Sequence, residues 1–130
     1  MARARQNTAS MNRAATRLVR ESDRRVVCER CAVAGSMWSR MRGLLGRSDL
    51  PAEEGLLIPT WSIHMFFMRF AIDAVFLDRE RRVVRIVENL RPWRTASCRG
   101  AKEVVELAAG EAGRRGLAVG DRLRLNGSEP

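Results

Sequence analysis

The alternation of hydrophobic and polar residues predicts a chain built mainly of short β-strands. Apolar runs with a period of two, bounded by Gly, Pro, Asp or Ser, are typical of strands and the turns between them. The predicted strands are residues 17–21, 25–31, 55–58, 61–68, 73–77, 82–87, 102–107 and 121–125. Residues 78–81 are predicted to form a hairpin turn, 88–100 a long irregular loop, and 110–115 a short helical turn.

One segment, residues 36–46, has the period of an α-helix instead. Ser36 suits the N-cap and Gly46 the position after the helix. The apolar residues between them recur on one stripe: Met37, Trp38, Met41, Leu44 and Leu45. The pattern therefore predicts an α+β, mostly β fold, a small barrel-like or sandwich-like sheet of about six to eight short strands with this helix packed against it.

The first residues differ from the rest of the chain. Residues 1–15 lack apolar periodicity and are predicted to be a disordered basic tail, whereas residues 16–126 are predicted to form a single globular domain. Translation from Met1 and translation from Met11 both remain open.

Charge adds a second feature, because 24 Lys and Arg against 15 Asp and Glu give a net charge of +9. Lys102 is the only lysine. Arginine forms bidentate hydrogen bonds with phosphates and carboxylates, so the composition could indicate recognition of such groups. A coding bias towards arginine would produce the same composition.

Cysteine usage and hydropathy limit the cellular setting. Three cysteines are an odd number, which argues against a secreted disulfide framework. The charged N-terminus is not followed by the apolar segment of a signal peptide. The most hydrophobic stretch, 55–77, contains Arg69 and Asp73, whose charges oppose membrane insertion. A cytoplasmic protein without a membrane span is predicted.

Several short blocks occur in an order that resembles a known family. They are RMRGLLGR at 40–47, IHMFFMR at 63–69, ID at 72–73, FLD at 76–78, VELAAG at 105–110 and GD at 120–121. Together they resemble family one hundred and ninety-two of the domains of unknown function, over about residues 36–125. The resemblance implies a compact, mostly β fold and no particular reaction. The chain departs from the family pattern at Phe67 and Ala71, and that pattern does not call for the three cysteines.

The pair Cys28 and Cys31 spells a C-x-x-C motif, which often marks redox or zinc sites. Here the pair falls within a predicted strand, where residues three apart point to opposite faces. A zinc site would have to recruit Cys98 and His64. The interpretation is that the cysteines are small buried hydrophobes or thiols without a function, and no metal and no cofactor are predicted.

Four polar residues in apolar surroundings form the main candidate site: His64, Arg69, Asp73 and Glu106. Asp73 shares strand parity with Val75 and is expected to point inward, where a carboxylate must be paired or hydrogen-bonded. Arg69 is the expected partner. We hypothesise a polar cleft of these four residues that binds a small ligand or a peptide end; a structural salt bridge and a structural His64, the only histidine, are the alternatives.

A second candidate surface lies in the loop 88–100. Arg91, Trp93, Arg94 and Arg99 combine cations with an aromatic ring, which is what single-stranded nucleic acid requires. Arginines scattered over a basic protein would give the same list.

Three functions follow from these residues. The leading prediction is a non-enzymatic module that binds a small ligand or a protein partner. The alternatives are a small hydrolase-like enzyme that uses the cluster of Arg69, Asp73, Glu106 and His64, and nucleic-acid binding through the basic tail and the loop 88–100.

Overall fold

Nine strands and one short helix make up the part of the chain that the computed structural model describes, residues 16–35 and 47–126. The strands are β1 (Thr16–Arg20), β2 (Val26–Val33), β3 (Glu54–Ile58), β4 (Ser62–His64), β5 (Ile72–Leu77), β6 (Val83–Leu90), β7 (Thr95–Ser97), β8 (Glu103–Ala108) and β9 (Leu123–Asn126). The helix α1 spans Glu111–Arg114. The predicted helix at 36–46 and the predicted tail at 1–15 lie outside the described residues.

Seven of the strands form one mixed sheet in the order β6-β5-β8-β3-β2-β1-β9, and β4 pairs with β7 in a separate ribbon. All neighbours in the large sheet are antiparallel except β2 and β3. A parallel pair needs a crossover connection, and the connection between β2 and β3 includes the segment 36–46.

Two apolar clusters lie on the two faces of this sheet. One contains Ala74 and Phe76 of β5 with Ile63 of β4, so it lies between the sheet and the β4–β7 ribbon. The other contains Val75 and Leu77 of β5 with Ala112 of α1. Because both faces are covered, every residue of β5 is buried, and the arrangement is sandwich-like.

The outer strands β6 and β9 meet at one corner only. Arg82 and Arg122 form an isolated bridge, the Val83 N–H donates to the Asp121 carbonyl at 2.7 Å, and the Leu123 N–H donates to the Arg81 carbonyl at 2.9 Å. The sheet is therefore not closed into a barrel, and the sandwich-like form of the predicted fold is confirmed.

Two predicted elements, the strand at 61–68 and the loop at 88–100, differ most from the observed ones. The strand predicted at 61–68 ends at His64, because a turn follows in which Phe67 has a left-handed backbone (φ 66°). The loop predicted at 88–100 contains the end of β6 and the whole of β7. The hairpin predicted at 78–81 connects β5 to β6 as expected.

The expectation that Cys28 and Cys31 face opposite sides of their strand is wrong. Thr16 pairs with Cys31 while Leu18 pairs with Cys28, so β2 carries one more residue than β1 over this interval. Such a β-bulge shifts the alternation by one position. Both cysteines are consequently fully buried in the same apolar cluster.

Candidate functional site

Asp73 is a fully buried carboxylate that fastens backbone segments together. Its Oδ1 accepts the N–H of Asn89 at 2.9 Å, and its Oδ2 accepts those of Gly110 at 3.0 Å and Ala112 at 2.9 Å. The exposed Arg69 forms no ion pair with it, so the predicted Arg69–Asp73 pairing is wrong. Backbone N–H groups, not a cation, satisfy this charge.

Glu106 is also fully buried, but it lies on the other face of the sheet from Asp73. In the β5–β8 register, Glu106 is opposite Ala74 while Asp73 is opposite Leu107. Adjacent residues of a strand point to opposite faces, so Glu106 faces the β4–β7 ribbon and Asp73 faces α1. The structure does not bring these two carboxylates into one cleft, and ligand binding by any of the four predicted residues stays a prediction.

His64 ends β4, and its imidazole stacks on Phe66 with ring centroids 4.6 Å apart. The ring is partly buried and its Nδ1 is inaccessible to solvent. Among the described residues, no group of three or more His, Cys, Asp or Glu side chains could hold a metal ion.

Beside His64 lies a group of exposed rings, Phe66, Phe67 and Trp93, which we call the aromatic platform. Their exposed fractions are 41%, 64% and 59%. Trp93 meets Phe67 edge-on at a centroid distance of 4.8 Å and lies 5.9 Å from Phe66. Large side chains held together in this way present a continuous apolar surface to solvent, a feature typical of binding sites.

Two tight turns position the platform. The Met68 N–H donates to the Met65 carbonyl, and the Arg94 N–H donates to the Arg91 carbonyl, both at 3.2 Å. Two further hydrogen bonds of 2.8 Å join the turns, from the Met65 N–H to the Arg94 carbonyl and from the Trp93 N–H to the Met65 carbonyl. Hydrogen bonds within and between the two turns therefore hold the backbone that carries the rings.

Each turn has an aromatic residue where glycine is normally preferred. Phe67 has φ 66° and Trp93 has φ 70°. Trp93 follows Pro92, and a proline before a residue of positive φ is the pattern of a type II turn. Such a turn favours Pro at the first of its two central positions and Gly at the second. A left-handed backbone costs a side-chain-bearing residue about 1–2 kcal/mol. Strain of this kind is concentrated at functional sites.

Three of the four residues predicted for nucleic-acid binding lie together in the second turn: Arg91, Trp93 and Arg94, all exposed. Arg99 does not join them. It follows β7 at the far end of the β4–β7 ribbon, where the Cys98 N–H donates to the Trp61 carbonyl at 2.9 Å. Sequence reasoning missed Phe66 and Phe67, which it assigned to a strand.

The paired cysteines are chemically unlike each other. The hydrogen-bonding interaction between the two thiols lowers the pKa of Cys28 and raises that of Cys31. Burial adds to the rise at Cys31. Because both sulfurs are shielded from solvent, neither has the partial exposure of a reactive cysteine.

The fold and these residues place the chain in a family. The family model of DUF192, described as "Uncharacterized ACR", matches residues 18–125, so the chain belongs to this family and the predicted resemblance is confirmed. The family is one without an assigned activity.

Individual relatives agree with that assignment. A UPF0127 protein of Thermococcus sibiricus is 31% identical over 112 residues, which cover 82% of this chain and 72% of the relative. A UPF0127 protein of Pyrococcus furiosus is 42% identical over 66 residues, which cover 50% of this chain and 56% of the relative.

Two crystal structures share the fold. A protein of unknown function from Novosphingobium aromaticivorans superposes with a TM-score of 0.71 at 26% identity, over 85% of this chain and 83% of that one. A candidate transcription regulator from Sinorhizobium meliloti superposes with a TM-score of 0.73 at 25% identity, over 85% of this chain and 91% of that one. In the part of the chain that the structure describes, no helix has the length and apolar character needed to cross a membrane.

Proposed function

We propose that this protein is a non-enzymatic binding module whose recognition surface is the aromatic platform with Arg91 and Arg94. The observation that carries the proposal is the left-handed backbone of Phe67 and Trp93 beneath exposed rings. Exposing these rings and straining their backbone both oppose folding, so the surface is better explained by what it contacts than by stability.

The ligand class that this surface fits is single-stranded nucleic acid. Exposed aromatic rings stack on bases of any sequence, and arginines beside them contact the phosphates. The net charge of +9 adds attraction to a polyanion. The Sinorhizobium meliloti protein of the same fold, a candidate transcription regulator, is consistent with this ligand.

The positions of the buried carboxylates support a binding role over a hydrolytic one. A pair of carboxylates working as acid and base must reach the same substrate. Asp73 and Glu106 point to opposite faces of the sheet, and both oxygens of Asp73 already accept backbone N–H groups. A cytoplasmic location, which the sequence predicts, suits the three free cysteines.

The test is a fluorescence anisotropy titration of a labelled single-stranded oligothymidine with the whole chain at low ionic strength. Trp93→Ala should weaken binding about tenfold, because base–aromatic stacking contributes about 1–3 kcal/mol per base. Arg94→Ala should weaken binding and reduce the slope of log affinity against log salt by about one.

Two matched controls come from the opposite end of the β4–β7 ribbon. Trp61 is an exposed tryptophan outside the platform, with 53% of its surface accessible, and Arg99 is an exposed arginine there. Trp61→Ala and Arg99→Ala should leave the affinity within about twofold. Equal losses in the control and platform variants, or no salt-dependent binding by the unmodified chain, would overturn the proposal.

A further inference from the structure

A second surface lies at the corner where β6 and β9 meet, and we call it the seam cleft. It is a shallow depression, open to solvent, with a volume of about 630 Å³, which is within the range of small-molecule sites. Two apolar residues, the buried Leu123 and Pro59, are part of its lining. Five cationic side chains line it: Arg79, Arg81, Lys102, Arg122 and Arg124.

Three acidic residues also line the seam cleft, but they do not neutralise it. Glu103 accepts both arms of the Arg81 guanidinium, at 2.9 and 3.2 Å, and Glu21 lies 3.8 Å from Arg122. The third is Glu80. Within the described ranges, Arg79, Lys102 and Arg124 form no ion pair. An excess of positive charge therefore faces the cleft, and its mutual repulsion would be relieved by an anion.

The backbone that carries these cations is held firmly. In the hairpin between β5 and β6, Asp78 Oδ1 accepts the N–H of Glu80 at 2.8 Å and of Arg82 at 2.9 Å. Arg81 adopts a left-handed backbone there (φ 62°), and its fork on Glu103 ties the hairpin to β8. The bridge from Arg82 to Arg122 joins the hairpin to β9. A backbone that is fixed before binding loses little conformational freedom of its own when a ligand arrives.

We propose that the seam cleft binds a small molecule through a diphosphate group. One guanidinium group can donate two parallel hydrogen bonds to the oxygens of a phosphate. Each of these bonds is about twice as strong as a hydrogen bond between neutral groups. Five cations against three carboxylates leave an excess of two positive charges in the lining, and two adjacent phosphates supply the negative charge to balance it. The ligand is either inorganic pyrophosphate or the diphosphate of a nucleotide.

This site is separate from the aromatic platform. The eight residues of β6 run from Val83 at the seam to Leu90 beside the second turn. At 3.3 Å per residue, the two ends are about 23 Å apart. The inference rests on the charge and shape of the seam cleft alone, so failure of nucleic-acid binding at the platform would leave it intact.

The experiment is isothermal titration of the whole chain with inorganic pyrophosphate at low ionic strength, with ADP in a parallel titration. The double variant Arg79→Ala/Arg124→Ala should bind pyrophosphate at least about tenfold more weakly, because it removes two of the guanidinium groups that would form charge-assisted hydrogen bonds to the phosphates. Circular dichroism should show that this variant, and the control variant described next, retain the native spectrum.

The control is Arg30→Ala/Arg114→Ala, which removes the same charge from two exposed arginines outside the cleft. The affinity of this control variant for pyrophosphate should remain within about twofold of that of the unmodified chain. If the cleft variant weakens binding, the ligand that binds the unmodified chain more tightly identifies the source of the diphosphate. Tighter binding of ADP would indicate a nucleotide, and tighter binding of pyrophosphate an inorganic ligand. No binding of either ligand by the unmodified chain, or equal weakening in both double variants, would overturn the inference.

Discussion

Replacing Asp73 with asparagine tests whether this buried carboxylate fastens the fold. The substitution preserves size but removes the charge and turns one acceptor oxygen into an amide donor. Asp73 accepts from Asn89, Gly110 and Ala112, so at least one of these N–H groups must then face a donor. One of them, the N–H of Ala112, is buried. Asp73 thus connects the end of β6 and the start of α1 to β5.

The expected loss is a substantial part of the stability of the domain. A hydrogen bond to a charged group contributes about 1.5–3 kcal/mol, and an unsatisfied buried donor costs about 1–3 kcal/mol. We therefore expect Asp73→Asn to lower the free energy of unfolding by about 2–4 kcal/mol. For a domain of this size, that corresponds to a fall in Tm of about 8–16 °C.

Urea denaturation followed by circular dichroism gives the measurement. Asp49→Asn is the matched control, because Asp49 is exposed, and it should change the free energy of unfolding by less than about 0.5 kcal/mol. Arg69→Ala should also have little effect, since Arg69 does not pair with Asp73. A loss below about 1 kcal/mol in Asp73→Asn, or an equal loss in Arg69→Ala, would refute this account of the carboxylate.

Three further predictions concern other parts of the fold. Gly55→Ala should destabilise by about 1–3 kcal/mol in urea denaturation, because the new Cβ would lie 2.8 Å from the Cys28 sulfur; Gly113→Ala, which has open space around it, should not destabilise. Hydrogen bonds from the Arg82 and Glu80 backbone lower the pKa of Asp78, so its stabilising contribution is present above the unfolded-state pKa, near 4, and is lost as the pH falls below it. Asp78→Asn should therefore flatten the acid limb of a Tm-against-pH curve, and an unchanged limb would contradict this. Iodoacetamide should modify one thiol of the native chain, the partly exposed Cys98, before the two buried cysteines of β2, as read by peptide mass spectrometry; earlier modification within β2 would contradict the burial.

Strand alternation predicted the centre of the fold well. The strands expected at 73–77 and 102–107 agree within one residue at each end with β5 (Ile72–Leu77) and β8 (Glu103–Ala108). The expectation that Asp73 points inward is confirmed, and Glu106 is equally buried. A charged residue that keeps the parity of apolar neighbours is a direct signal of burial.

Register explains why the four-residue cleft could not be assessed from the sequence. Asp73 pairs with Leu107 and not with Glu106. A shift of one residue between β5 and β8 would have placed the two carboxylates on the same face. The sequence of one strand shows which of its side chains share a face. Only the pairing of two strands shows which side chains of one lie on the same face as those of the other. At Cys28 and Cys31 the alternation itself failed, because the β-bulge adds one residue to β2 between them.

The aromatic platform could be predicted only in part. Pro92 and the arginines around it identified the loop that carries Trp93. The backbone at Phe67 carried no such signal, because left-handed residues are expected to be Gly or Asn and an aromatic there contradicts the local preference. Positions that violate a local rule in this way are concentrated at functional sites.

The central claim, that the platform is a binding surface, is tested most directly by mapping the contact residue by residue. Amide ¹H–¹⁵N spectra of the whole chain should be recorded during a titration with single-stranded oligothymidine at low salt. We predict the largest shifts at 65–68 and 91–94 and at the indole N–H of Trp93, with little change at the indole N–H of Trp61. Shifts spread evenly over the exposed arginines, with those two turns unmoved, would contradict the account.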